Sequence, residues 1–163
     1  PIFAQINHNG GQASSMYSRL PVWAPSAVAD PLFREVPKAV THADIDEIIA
    51  GYAVVAEHCA EGGFDGIELQ CSHSSIVRGF LSPATNTRTD EYGGSIENRA
   101  RLMLEVVDAC IGVWGADRVG LHLSPRGDAH TMGDSNPLAT FGYVAQETGR
   151  RKLAFLFGRQ AQT

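Results

Sequence analysis

The stretch Ile67-Glu68-Leu69-Gln70-Cys71-Ser72-His73-Ser74-Ser75-Ile76, IELQCSHSSI, opens as a buried strand and ends as a run of hydrogen-bonding side chains. An apolar piece follows, Ile76 to Leu81 (IVRGFL), and then the long polar segment SPATNTRTDEYGGS, Ser82 to Ser95. Polar side chains placed where a strand leaves a core need partners. The neighbouring elements show why they collect there.

Upstream, Thr41 reads as a helix N-cap with Asp44 as its capping-box partner. Ile45, Ile48, Ile49, Tyr52, Ala56 and Cys59 follow at spacings of three and four, which makes one apolar helical face. That helix stops at Glu61-Gly62-Gly63, and the strand DGIELQ comes next. Downstream, Ser95 caps a second helix with Leu102, Met103, Val106, Val107, Cys110 and Val113 on its apolar face. The strand VGLHLS follows from Val119. Asn136 and Pro137 read as N-cap and first residue of a third helix running to about Thr148, and the strand LAFLF comes after it. A first strand is expected over Ile2 to Asn7. Between Ser14 and Val40, the prolines Pro21, Pro25, Pro31 and Pro37 forbid a regular helix or a central strand, so a long loop is expected.

Helices alternating with short hydrophobic strands specify an α/β fold with parallel strands and right-handed crossovers. Helix-to-strand connections are short (EGGFD, GAD, GRRK), whereas strand-to-helix connections are long and polar. In barrels and in open α/β sheets, ligands bind where strand C-termini feed the forward loops. The polar run after IELQ therefore falls on the face that carries chemistry.

Composition narrows the function. The 163 residues fit one domain, 1–163, and 44% hydrophobic content suffices for a core. A net charge of −5 without a Lys/Arg run argues against nucleic acid. The longest apolar run, IIAGYAVVA, is too short to span a bilayer. Three widely spaced cysteines, Cys59, Cys71 and Cys110, suit a reducing compartment, and the first residues lack signal-peptide features, so the cytoplasm is the expected location. The chain begins without Met in a strand-like run and stops just after another strand, so a piece of a longer protein is expected.

Several chemistries have weak support. Cys71 and His73 have no second Cys/His pair at zinc spacing, so no metal site is expected. His73 with Ser74 and Ser75 lacks a G-x-S-x-G elbow, and no G-x-G-x-x-G or Walker loop is present. His42, His58 and His130 read as packed or solvated histidines, and Cys59 and Cys110 as core residues. Gln5, Gln70 and His122 are different: each stands near the end of a strand, and together they suit a flat ligand with polar edges.

The segment GFDGIELQCSHSSIVRGFLSPATNTRTDEYGGSIENRARLMLEVVDA resembles the old yellow enzyme family of FMN-dependent ene-reductases. Phe80 to Arg101 is its most specific part, and AQINHNG, GADRVGLHLSP and GDSNPLATFGYV resemble the family in the same order. The resemblance implies part of an eight-stranded (β/α)8 TIM barrel, from about the third strand to the sixth. It implies FMN as cofactor, NAD(P)H as hydride donor and an α,β-unsaturated carbonyl as acceptor. By the same comparison, Gln5 would bond the flavin pyrimidine edge and His122 would stand where the family has an arginine near flavin N1. Gln70 and His73 would hold the acceptor's carbonyl oxygen. Asn86, Arg88, Asp90 and Gly93-Gly94 would be scaffold. The family's tyrosine proton donor is replaced by Ser75. The alternative expectation is a non-catalytic partial barrel that does not hold flavin. Either way, two open strand edges would favour low stability or self-association.

Overall fold

The computed structural model describes residues 1–126 and 132–159; His130 lies outside them. Four strands form one parallel sheet in the order β1 (Phe3–Ile6), β4 (Gly66–Cys71), β5 (Val119–Leu123) and β6 (Phe155–Gly158). Consecutive strands are neighbours, so each crossover runs one step along the sheet. Helices α2 (His42–Glu61), α4 (Ile96–Trp114) and α5 (Pro137–Arg151) make these crossovers. This is the arrangement of half a (β/α)8 barrel.

The caps lie where local chemistry places them. Thr41 and Asp44 form a reciprocal capping box, with Thr41 N donating to Asp44 Oδ2 at 2.8 Å. Ser95 Oγ accepts from Asn98 N, and Asn136 Oδ1 accepts from Ala139 N ahead of Pro137. The apolar faces bury as their spacing dictates. Ile45, Ile48, Tyr52 and Ala56 of α2 and Leu102, Met103, Val106, Val107 and Cys110 of α4 join Ile67, Leu69, Val119 and Leu121 in one core. Ile49, Cys59 and Val113 pack at its margin.

Strand alternation sends the other residues to the opposite, open face. Glycine is required there at two close approaches. A Cβ on Gly120 would lie 2.2 Å from the Phe155 ring, and one on Gly66 would lie 2.4 Å from the Phe3 ring. The two rings meet edge-on, 5.5 Å between centroids. Phe155, Leu156 and Phe157 of the edge strand remain exposed, Phe157 at 51%.

Three short elements depart from the expected plan. IVRGFL, read only as an apolar piece, is helix α3 (Ile76–Leu81), buried at all six positions. The proline-rich loop contains one turn of helix, α1 (Ser15–Ser18). It also carries a two-stranded parallel ladder, β2 (Trp23–Ala24) with β3 (Lys38–Ala39). The prolines flank these pairs and leave the ladder donors intact.

Candidate active site

The open face is built from alternating residues of three adjacent strands. Gln5 stands opposite Glu68 in the β1–β4 register, and Gln70 opposite His122 in the β4–β5 register. Gln5 Nε2 donates to Glu68 Oε1 at 2.5 Å and lies 3.5 Å from His122 Nδ1. His122 Nδ1 is 3.9 Å from the same Glu68 oxygen. If Nδ1 accepts from the Gln5 amide, the ring proton resides on Nε2. His122 Nε2 is buried and has no hydrogen-bond partner among the described residues. Burial pushes the imidazole below its ordinary pKa; Glu68 opposes that shift and Arg159 adds to it. Phe157 packs edge-on to the ring, 4.7 Å between centroids.

Gln70 spends its acceptor locally. Its Oε1 accepts from Ser72 Oγ at 2.8 Å and from Ser72 N at 3.3 Å. What Gln70 can offer a ligand is therefore its amide donor. His73 lies two residues past β4, its backbone N–H donating to Ser124 Oγ at 3.2 Å. His73 Nε2 is 3.4 Å from Arg159 Nη1. A guanidinium only donates, so in that contact Nε2 is the acceptor. Gln5 and His122 are thus brought together directly, Gln70 through strand register, and His73 at the mouth of the adjoining loop.

Ser75 is fully buried, and its hydroxyl makes no hydrogen bond of ordinary geometry. It stands close enough to the Tyr52 phenol to stabilise the phenolate slightly, against a larger opposite effect of burial. Ser74 adopts φ 68°, left-handed backbone that a serine enters at a cost. Asn7 Nδ2 donates to its carbonyl at 3.0 Å.

Glu68 is the residue that sequence reasoning missed. The alternation of IELQ already placed it on the same face as Gln70.

The polar segment after α3 is occupied by structural bonds. Asn86 Nδ2 donates to the carbonyls of Phe80 and Tyr92, both at 2.7 Å. Arg88 pairs with Asp90 through Nε and Nη2 and donates to Val40 O at 2.6 Å. His42, Asp90 and Glu91 bring ligand-type atoms within 4.8 Å of one another, but Asp90 is committed to Arg88. Arg78, buried on α3, donates to Met132 O at 2.6 Å and lies over the Phe141 ring. Cys71 faces the helix layer, where burial drives its thiol pKa up, away from His73. Among the described residues no helix is long and apolar enough to cross a membrane.

Comparison with known proteins agrees with this fold. The solved structure of an old yellow enzyme homologue from Zymomonas mobilis superposes with a TM-score of 0.95 at 32% identity, covering 98% of this chain and 47% of that one. Morphinone reductase in complex with tetrahydroNAD gives 0.93 at 34% identity, over 96% of this chain and 48% of that one. A probable flavin mononucleotide-dependent alkene reductase of Leishmania infantum is 37% identical over 95% of this chain and 47% of its own length. Enoate reductase 1 of Kluyveromyces lactis is 44% identical over 71% of this chain and 30% of its own length. The chain therefore spans about half the length, or less, of these relatives, as a partial TIM barrel. The model of the NADH:flavin oxidoreductase / NADH oxidase family matches residues 1–159, and the chain belongs to that family.

Proposed function

We propose that this chain forms part of an FMN-dependent oxidoreductase that passes hydride from NAD(P)H to an α,β-unsaturated carbonyl. One observation carries the reading: Gln5 and His122 converge on one face, and His122 Nε2 is buried there without a partner among the described residues. An orphaned ring nitrogen beside a carboxamide fits the alternating donors and acceptors of a flavin pyrimidine edge. Gln5 and His122 would hold that edge. FMN, when bound, supplies the redox chemistry. Gln70, through its amide N–H, and the His73 imidazole would hold the acceptor's carbonyl oxygen, where negative charge develops during reduction.

Ser75 stands too deep to serve as the acid, since its hydroxyl is enclosed beside Tyr52. We assign α-carbon protonation to solvent water.

The open sheet edges and the exposed Phe155, Leu156 and Phe157 favour a second reading, a partial barrel that associates with itself and holds no flavin. The partners we propose are small-molecule electron acceptors and no nucleic acid. The two buried, unpaired thiols, Cys71 and Cys110, are consistent with the cytoplasm.

The test is NADH oxidation with 2-cyclohexenone as acceptor. The proposed function predicts enone-dependent turnover above that of free FMN. His73→Ala should reduce it about tenfold to a hundredfold, the scale of a hydrogen bond to developing charge. Turnover equal to that of free FMN supports the second reading.

A further inference from the structure

A small cavity lies between the 3-10 turn Gly10–Gln12 and the start of α3. Gln12, Ser26, Asp30, Ser75 and Thr85 contribute to its wall, with the rest apolar or glycine. Gln12 is 9% exposed, and both its Nε2 and Oε1 are buried without a hydrogen-bond partner among the described residues. Ser75 is 0% exposed, and among the described residues its Oγ reaches only the Tyr52 phenol. Two orphaned polar atoms of Gln12 and a hydroxyl with bonding capacity to spare do not suit a dry interior, because each group left unmet costs roughly tenfold in the folding equilibrium. Leucine and alanine at these two positions would avoid that cost.

The volume, about 30 Å³, has room for roughly one or two water molecules. The chemistry of the wall matches water. The carboxamide offers donors and an acceptor, and the hydroxyl can do either. The carboxylate on the wall is held by its own loop, Asp30 Oδ1 accepting from Leu32 N and Phe33 N. Thr85 Oγ1 is turned to Gly79 O at 2.7 Å. Neither feature calls for a charged ligand.

We infer that this cavity is a built site for ordered water, bridging the Gln12 carboxamide and the Ser75 hydroxyl. The water ties the turn after β1 to the loop after β4, two residues beyond His73. Because Ser75 also adjoins Tyr52 of α2, the bridge links three elements at the end of the sheet where the candidate site lies. This inference rests on the cavity alone and stands whether or not the chain holds flavin.

Water-to-amide cross-relaxation in the 15N-labelled chain tests it. The expected result is cross-peaks of the sign given by long-lived water at the Gln12 side-chain NH2, weakened in Ser75→Ala. Their absence in the unsubstituted chain overturns the inference. A double-mutant cycle of Gln12→Leu and Ser75→Ala gives a second readout. A shared water predicts non-additive losses, with coupling of about threefold or more in the unfolding equilibrium constant. Additive effects, or a more stable Gln12→Leu, would mean a dry cavity and overturn it equally.

Discussion

Gln5 and His122, 117 positions apart in sequence, meet across the open face with 3.5 Å between Gln5 Nε2 and His122 Nδ1. Glu68 adjoins both, bonded to Gln5 and 3.9 Å from His122. The contact makes the imidazole's protonation a property of three strands at once.

A pH prediction follows from burial. His122 and His8, the latter just after β1 with its Nδ1 accepting from Gly10 N at 3.0 Å, both titrate below the ordinary histidine pKa in the folded chain, desolvation being the largest cause for each. Below pH 6.5 the unfolded chain therefore binds protons that the folded chain refuses, so stability falls as pH falls through that region. Above it their contribution is constant. Imidazole NMR titration should show both shifts. Glu68→Gln should lower the His122 pKa further, because the carboxylate favours the charged ring. An unchanged His122 titration in that variant would mean the pair does not interact.

Packing on the open face gives a sharper contrast. Gly120→Ala forces a methyl against the Phe155 ring and should cost about 1–3 kcal/mol in urea unfolding. Phe155→Ala in the same chain should recover much of that difference. Gly66→Ala should resist rescue by Phe3→Ala, since its methyl also meets Arg118 O at 2.5 Å. Equal rescue at both sites would contradict the assigned contacts.

Ser74 offers a stabilising change. Its left-handed φ of 68° suits glycine. Relief of about 1 kcal/mol of strain, less the entropy glycine adds to the unfolded chain, leaves a gain of about 0.5 kcal/mol for Ser74→Gly. Chemical denaturation would reveal it. A loss of stability would show that the serine side chain makes a contribution larger than its strain.

The scaffold residues should behave differently from the site. Asn86→Ala strips donors from two carbonyls, Phe80 O and Tyr92 O, and should cost about 2–4 kcal/mol. Ligand affinity of the fraction that remains folded should not change. A selective loss of affinity without loss of stability would move Asn86 into the site.

Much of this fold was legible because its signals are local. Thr41, Ser95 and Asn136 each carry their own capping chemistry, and the apolar faces of α2 and α4 have a clear helical period. Helix α3 was not legible, because a helix buried all round shows no polar face, and Gly79 interrupts six residues that are already short. The β2–β3 ladder has two residues per strand, fewer than any alternation can reveal. Within the site, Gln5, Gln70 and His122 stood out as polar residues near the ends of hydrophobic strands. Glu68 carried the same signal one alternation earlier, yet reads alone as an ordinary solvated carboxylate. Its bond to Gln5 depends on the β1–β4 register, which no local stretch encodes.

The central claim is that Gln5 and His122 hold a flavin edge. Titrating FMN with the chain while following flavin fluorescence tests it most directly. Saturable quenching is predicted, with the dissociation constant raised roughly fivefold or more by Gln5→Ala and by His122→Ala, the loss expected for one hydrogen bond. No quenching, or quenching that neither substitution weakens, would contradict the account.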